Sequence, residues 1–213
     1  MDETRVLTFE EWFARVSSFE SHDDAWSVSD ELDGIPVEPV ASYMRNLFTN
    51  ADTLCADVPP QRLCHMIWFV FGLASGYWGH IFCLEDSEQL QIDTLNSVCV
   101  FYSDFLDPFF LLHPTDKSDF GTAVYMIWDM DNIEGSLFRK LPHLVEPAFS
   151  VLSTALDCRS YSCQISALHG LGHVQHLHPE RTEALIDAAL AREDHLHPDL
   201  IGYAKDARSG NVL

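Results

Sequence analysis

Six of the chain's eleven histidines fall between Cys158 and Pro198: His169, His173, His176, His178, His195 and His197, with Cys158 and Cys163 alongside. Imidazoles and thiolates ligate transition metals and move protons near neutral pH. On a helix from about Tyr161 to His176, residues three and four apart face each other, so His169, His173 and His176 make a narrow stripe able to share a metal. Zinc accepts three histidines, or histidines with the thiolate of Cys158 or Cys163. The spacing matches no established zinc signature, for there is no Cys-x-x-Cys and no His-Glu-x-x-His. Gly170 and Gly172 offer a structural alternative. They let a neighbouring helix approach closely, with His169 and His173 hydrogen-bonding across the contact. Packing is the favoured reading, and zinc at His169, His173 and His176 is the alternative to no cofactor at all.

Other constellations are weaker. Asp129-x-Asp131-x-x-Glu134 has carboxylates suited to a hard cation but lacks the third acid and the glycine of an EF-hand loop, so solvated helix-end acids are expected. Gly170-Leu171-Gly172 follows no strand and is no dinucleotide fingerprint, and a P-loop is absent. Cys163 and His169 sit six apart, on different faces of one helix, and would not form a nucleophilic dyad.

The elements that would position these side chains read as helices throughout. No stretch alternates with period two for long, and glycine-rich hairpin signals are missing. Thr8 before Glu10 and Glu11 suits an N-cap for a short helix over Phe9 to Val16. A second helix from near Pro39 to about Leu54 puts Val40, Tyr43, Met44, Leu47 and Phe48 on one face. The run Leu63 to Leu84 holds twenty-two residues without a formal charge. It is long enough to span a bilayer, but His65, His80, Ser75, three glycines and a lack of basic flanks favour a central core helix, broken near Gly76. Asp86 and Gln89 have capping-box spacing ahead of a helix that Asp107-Pro108 should end. Leu141-Pro142 opens another through about Leu156. Leu177-His178-Pro179-Glu180 is echoed by Leu196-His197-Pro198-Asp199, both of which read as helix starts. The expected fold is one all-α domain over residues 1–213, seven to nine helices in a HEAT-like stack of antiparallel pairs. It comprises an acidic N-terminal segment (1–36) and a C-terminal helical hairpin region (158–213).

Composition bounds the function. Thirty-three acidic residues face twelve basic ones, a formal charge of −21. That sign disfavours nucleic acid and anionic membrane surfaces as partners. It favours solubility and steering toward a basic protein. Six cysteines, several in apolar runs, read as reduced buried thiols, and the first residues, MDETRVLTFEEW, show no secretory signal; the expected location is cytoplasmic.

Cys163-Gln164, Ser166 to His173, and the ending Pro198-x-Leu200, Tyr203-Ala204, Ala207-Arg208-x-Gly210 together resemble the C-terminal signature of a group of uncharacterised bacterial proteins. Tyr125 to Asp129 is similar to a tryptophan-rich stretch of that group. The chain departs from the pattern at Ile165, where the group has an acidic residue, which argues against a catalytic role there. The resemblance implies a bacterial cytosolic helical protein and carries over no activity. In class, though not by motif, the chain also resembles acidic immunity proteins of toxin–immunity pairs. The expected function is therefore neutralisation of a cognate basic toxin domain by direct binding, with Glu20, Asp23, Asp24, Asp30, Glu31, Asp33 and Glu38 as the partner-binding acids. A metal-dependent enzyme using His169, His173 and His176, or a structural scaffold, are the rivals.

Overall fold

A computed structural model describes residues 7–21, 23–24, 35–72, 77–82, 87–114, 119–130 and 137–212. The described residues form helices and no strands, as the lack of period-two patterning requires. In chain order these are α1 (Phe9–Val16), α2 (Val37–Thr49), α3 (Ala51–Leu54), α4 (Pro60–Phe71), α5 (Tyr77–Phe82) and α6 (Glu88–Val100). A π-helical turn (Phe101–Leu106) leads to α7 (Asp107–Leu112), then α8 (Asp119–Tyr125), a 3-10 turn (Met126–Trp128), α9 (Pro142–Asp157), α10 (Tyr161–Val174), α11 (Pro179–Ala191) and α12 (Leu200–Arg208). Neighbours follow one another as α1 on α2, α2 on α6, α6 on α9, α9 on α10 and α10 on α12, an order compatible with a HEAT-like stack. One contiguous apolar cluster runs from Trp12 to Ala207, with partly buried side chains such as Leu90, Ile92, Leu185 and Leu190 packed against it.

Local chemistry sets most boundaries. Thr8 and Glu11 form a reciprocal capping box at α1. The second helix is divided, since α2 stops at Thr49 and Asn50 begins the separate turn α3. Val40, Met44, Leu47 and Phe48 are buried as the helical face predicts, and the half-buried Tyr43 donates its hydroxyl to the Leu7 carbonyl. The apolar run is broken earlier than Gly76. α4 ends at Phe71 because Gly72 leaves helical geometry with its Cα so placed that a Cβ would stand 2.1 Å from the Trp68 carbonyl oxygen. A helix of twelve residues is too short to cross a bilayer. Only the rod from Glu88 to Leu112 is long and apolar enough by length and composition, among the described residues.

The Asp86 of the expected capping box lies outside the described residues; Gln89 donates to Asp93 Oδ1 at 2.8 Å. One expectation is corrected. Asp107-Pro108 does not end the α6 rod. Proline lacks the N–H of an α-helical turn and crowds the carbonyl four residues back. Here the preceding turn widens to π register, with Asp107 N–H bonded to Tyr102 O, and the chain continues helically through Leu112. That leaves the Asp107 carboxylate free to act elsewhere. Its Oδ1 accepts from the Arg159 and Ser160 N–H groups at 3.0 and 2.7 Å, capping the start of α10 from another helix.

Candidate metal centre

α10 is the helix on which the site is built, and it is surrounded. Along it Cys163, Gln164, Ser166, Ala167, Leu168, His169, Gly170, Leu171, Gly172 and Val174 are all buried. Each polar residue in that run has a defined partner. Gln164 donates to the carbonyls of Cys158 and His195 and accepts from His197 N–H, so one amide pins the 195–197 turn to the helix. Ser166 donates to the Val124 carbonyl at 2.7 Å. Having one hydroxyl proton, it must accept from Tyr102, 2.8 Å away. Gly170 admits a neighbouring helix as the sequence suggests, for a Cβ there would meet Leu152 Cδ2 of α9 at 2.7 Å and Trp128 Cγ at 2.6 Å; Gly172 faces no helix, and a Cβ there would meet Val212 Cγ1 at 2.4 Å.

That close approach of Trp128 sets the next residue, Asp129, over the histidines. His173 Nε2 lies 2.8 Å from Asp129 Oδ1, and His169 Nε2 lies 3.2 Å from Oδ2. The two Nε2 atoms are 3.1 Å apart, with the rings almost perpendicular at 89°. On the far side of His169, Nδ1 is 2.8 Å from the hydroxyl of Tyr203 on α12, which is itself 3.2 Å from the Tyr125 hydroxyl. The Tyr125 ring covers the His169 imidazole at 4.1 Å between centroids. His169 is fully buried, while the Asp129 and His173 side chains keep 31% and 27% exposure, so the cluster has one inner wall and one face toward solvent.

Burial lowers the pKa of His169, a shift that the Asp129 hydrogen bond opposes, and so favours the neutral imidazole, the form that ligates a metal. Tyr203 is pushed well above the ordinary phenol range, first by burial and then by Tyr125, and stays a phenol.

His176 does not join its two expected companions. Its Nε2 lies 2.9 Å from an Arg139 Nη2 on an exposed face. The thiols also stand apart: Cys158 and Cys163 group with Asp107 near the opposite end of α10, and burial raises the Cys163 pKa, with Cys158 adding to it. Asp129 is therefore no freely solvated helix-end acid, while Asp131 and Glu134 lie outside the described residues. The sequence places His169 and His173 together, but it presents Asp129 as a solvated helix-end acid and Tyr203 only within the resemblance to the bacterial group, with no local signal that joins either to the histidines. Of the expected partner-binding acids, Glu20, Asp23, Asp24 and Glu38 are exposed, and Asp30, Glu31 and Asp33 lie outside the described residues.

Comparison with known proteins finds no matching family model, no matching curated protein and no matching solved structure.

Proposed function

We propose that this protein is a binding module for a basic protein, which it neutralises by direct contact, a cognate bacterial toxin domain being the partner of that chemistry. The observation that supports this reading is how the few cations are used. Arg45, Arg62, Arg181, Arg192 and Arg208 each pair with a carboxylate of this same chain: Asp93, Glu20, Glu146, Asp157, and the pair Glu183 and Asp187. With 33 acids against 12 bases, and five of those bases paired with carboxylates of the same chain, the net field around the protein is negative. Such a field steers a cationic surface into encounter and repels nucleic acid. A nuclease, deaminase or ADP-ribosyltransferase domain presents a cationic substrate face of the required kind.

Within the expected interface the acids differ in availability. Glu20 is held by Arg62 at 2.6 Å, and its N–H donates to Asp24 at 3.0 Å, whereas Asp23 and Glu38 project from the surface. Co-expression with the product of the adjacent gene, followed by purification, tests the proposal. A stable complex is expected, with an association rate that falls steeply between low and high salt. Failure to co-purify would remove the basis of the reading. The convergence of Asp129, His169 and His173 favours a second reading in which the protein also uses a metal.

A further inference from the structure

We propose that Asp129, His169 and His173 bind a divalent transition-metal ion, with the Tyr203 hydroxyl holding His169 in the ligating tautomer. The proposal is independent of the partner-binding reading.

Proton counting carries the argument. The three side chains make three short contacts: 2.8 Å, 3.2 Å and 3.1 Å. Each neutral imidazole has one N–H, and an ionised carboxylate only accepts. If both Nε2 atoms carry hydrogens, His169 can donate to Asp129, but two donors then face each other across 3.1 Å. If one Nε2 is bare, it can accept from the other imidazole, but its own contact with the carboxylate becomes lone pair against lone pair. Protonating both rings fully adds charge to a buried imidazole without adding a hydrogen to the third edge. Two protons at most serve three edges. A cation among the three groups satisfies all of them at once.

Donors about 2.0–2.2 Å from an octahedral ion stand about 2.8–3.1 Å apart, and those on a tetrahedral one about 3.3–3.6 Å, so the three contacts of 2.8, 3.2 and 3.1 Å lie closer to octahedral spacing. The surroundings suit an ion as well. With Nε2 given to metal, Nδ1 of His169 must carry the proton, and the Tyr203 oxygen is in place 2.8 Å away to accept it. A ligating histidine normally has such an outer partner. Tyr125 then donates to Tyr203 or accepts from it, which fixes the phenol in turn. Two imidazoles with one carboxylate suit zinc and ferrous iron alike. The half-open side beside Asp129 and His173 leaves the remaining coordination positions to water. An ion there would clasp three segments together: the turn after α8, α10 and, through Tyr203, α12.

The full chain, stripped of metal with a chelator, is titrated with Co2+ and then challenged with Zn2+ or, without air, Fe2+. One ion per chain is expected, with cobalt d–d absorption characteristic of nitrogen and oxygen ligands and a melting temperature that rises with metal. His173→Ala and Asp129→Ala alter partly exposed side chains, so their circular dichroism should match the parent while affinity falls at least about 100-fold. Tyr203→Phe, a positioning change, should weaken binding by about 10-fold or more and leave the cobalt spectrum in place. His176→Ala should change nothing. Uptake well below one ion per chain overturns the proposal. So does uptake that persists in the Asp129→Ala/His173→Ala double variant, or that depends equally on His176.

Discussion

Gly170→Ala adds one methyl group where the structure has no room for it. The new Cβ would stand 2.6 Å from Trp128 Cγ, 2.7 Å from Leu152 Cδ2 and 3.0 Å from Trp128 Cβ. Carbon atoms rest about 3.5–4.0 Å apart, so about 1 Å must open on two sides together. Neither neighbour can yield cheaply, because Trp128 is 4% exposed and Leu152 is fully buried. Overpacking of this kind costs about 1–3 kcal/mol. Alanine's better helix propensity returns about 1 kcal/mol of that, and the double clash puts the cost toward its upper end. The net loss should be about 1–2 kcal/mol, a fall of about 2–8 °C in melting temperature for a chain of this size. Gly172→Ala is the control. Its clash is with Val212, in a half-buried segment after α12 that has no regular secondary structure and can shift aside. It should cost under about 1 kcal/mol. Because Trp128 directly precedes Asp129, Gly170→Ala should also weaken cobalt binding, whereas Gly172→Ala should not. Urea denaturation and thermal melts of both variants give the comparison. A Gly170→Ala protein as stable as the parent, or a larger loss at Gly172, would refute the close-packing argument.

Asp107→Ala removes the carboxylate that receives the Arg159 and Ser160 N–H groups; a loss of about 0.5–2 kcal/mol, typical of an N-cap, is expected in urea denaturation. Burial raises the thiol pKa to about 12 at Cys55 and about 11 at Cys64, and well up at Cys163. Mass spectrometry after iodoacetamide treatment of the native protein at pH 8 should therefore find these three unmodified, and rapid labelling of any would contradict their burial. His178 has its pKa lowered by burial and then by Arg181, and its buried Nε2 has no hydrogen-bond partner. A lowered histidine pKa means that the unfolded chain takes up the proton first, so stability is intact above about pH 6.5 and falls as pH drops below it. In the metal-free protein His178→Leu should lessen the drop in urea midpoint between pH 7.5 and 5.5 without abolishing it, since His169 is shifted in the same direction. An unchanged drop would show that His178 does not contribute.

Helix positions were legible wherever a single residue type dictates backbone geometry. Thr8 with Glu11, Pro142 and Pro179 each start a helix where their capping chemistry requires it. The errors arose where a local rule met a tertiary solution. Pro108 should break a helix, and it does break the α pattern, but a π turn absorbs the fault, and the freed Asp107 carboxylate caps α10 some fifty residues on. Pro198 is followed by a short turn, so that α12 starts only at Leu200. No reading of a window of twenty residues contains the partner that decides these cases.

The site shows the same boundary between local and distant information. Spacing placed His169 and His173 one turn apart, and the glycines between them correctly announced a close neighbour. It could not say that the neighbour would be Trp128, nor that the following residue would then be delivered to the imidazoles. His176 satisfies the helical stripe as well as His173 does, yet α10 ends at Val174, and beyond it the chain turns His176 toward Arg139. A stripe on a helix wheel therefore overstates the ligand set at its frayed end and omits whatever a second element brings. What makes the revised set chemically specific is that its members come from separate parts of the chain: the turn after α8 gives the carboxylate, α10 the imidazoles, and α12 the phenol behind them. Convergence of polar groups from three elements on one buried histidine has to be offset by a bonding arrangement that satisfies them all. Protons alone leave one of the three inner contacts unbonded, and that shortfall is the physical reason to look for a metal there.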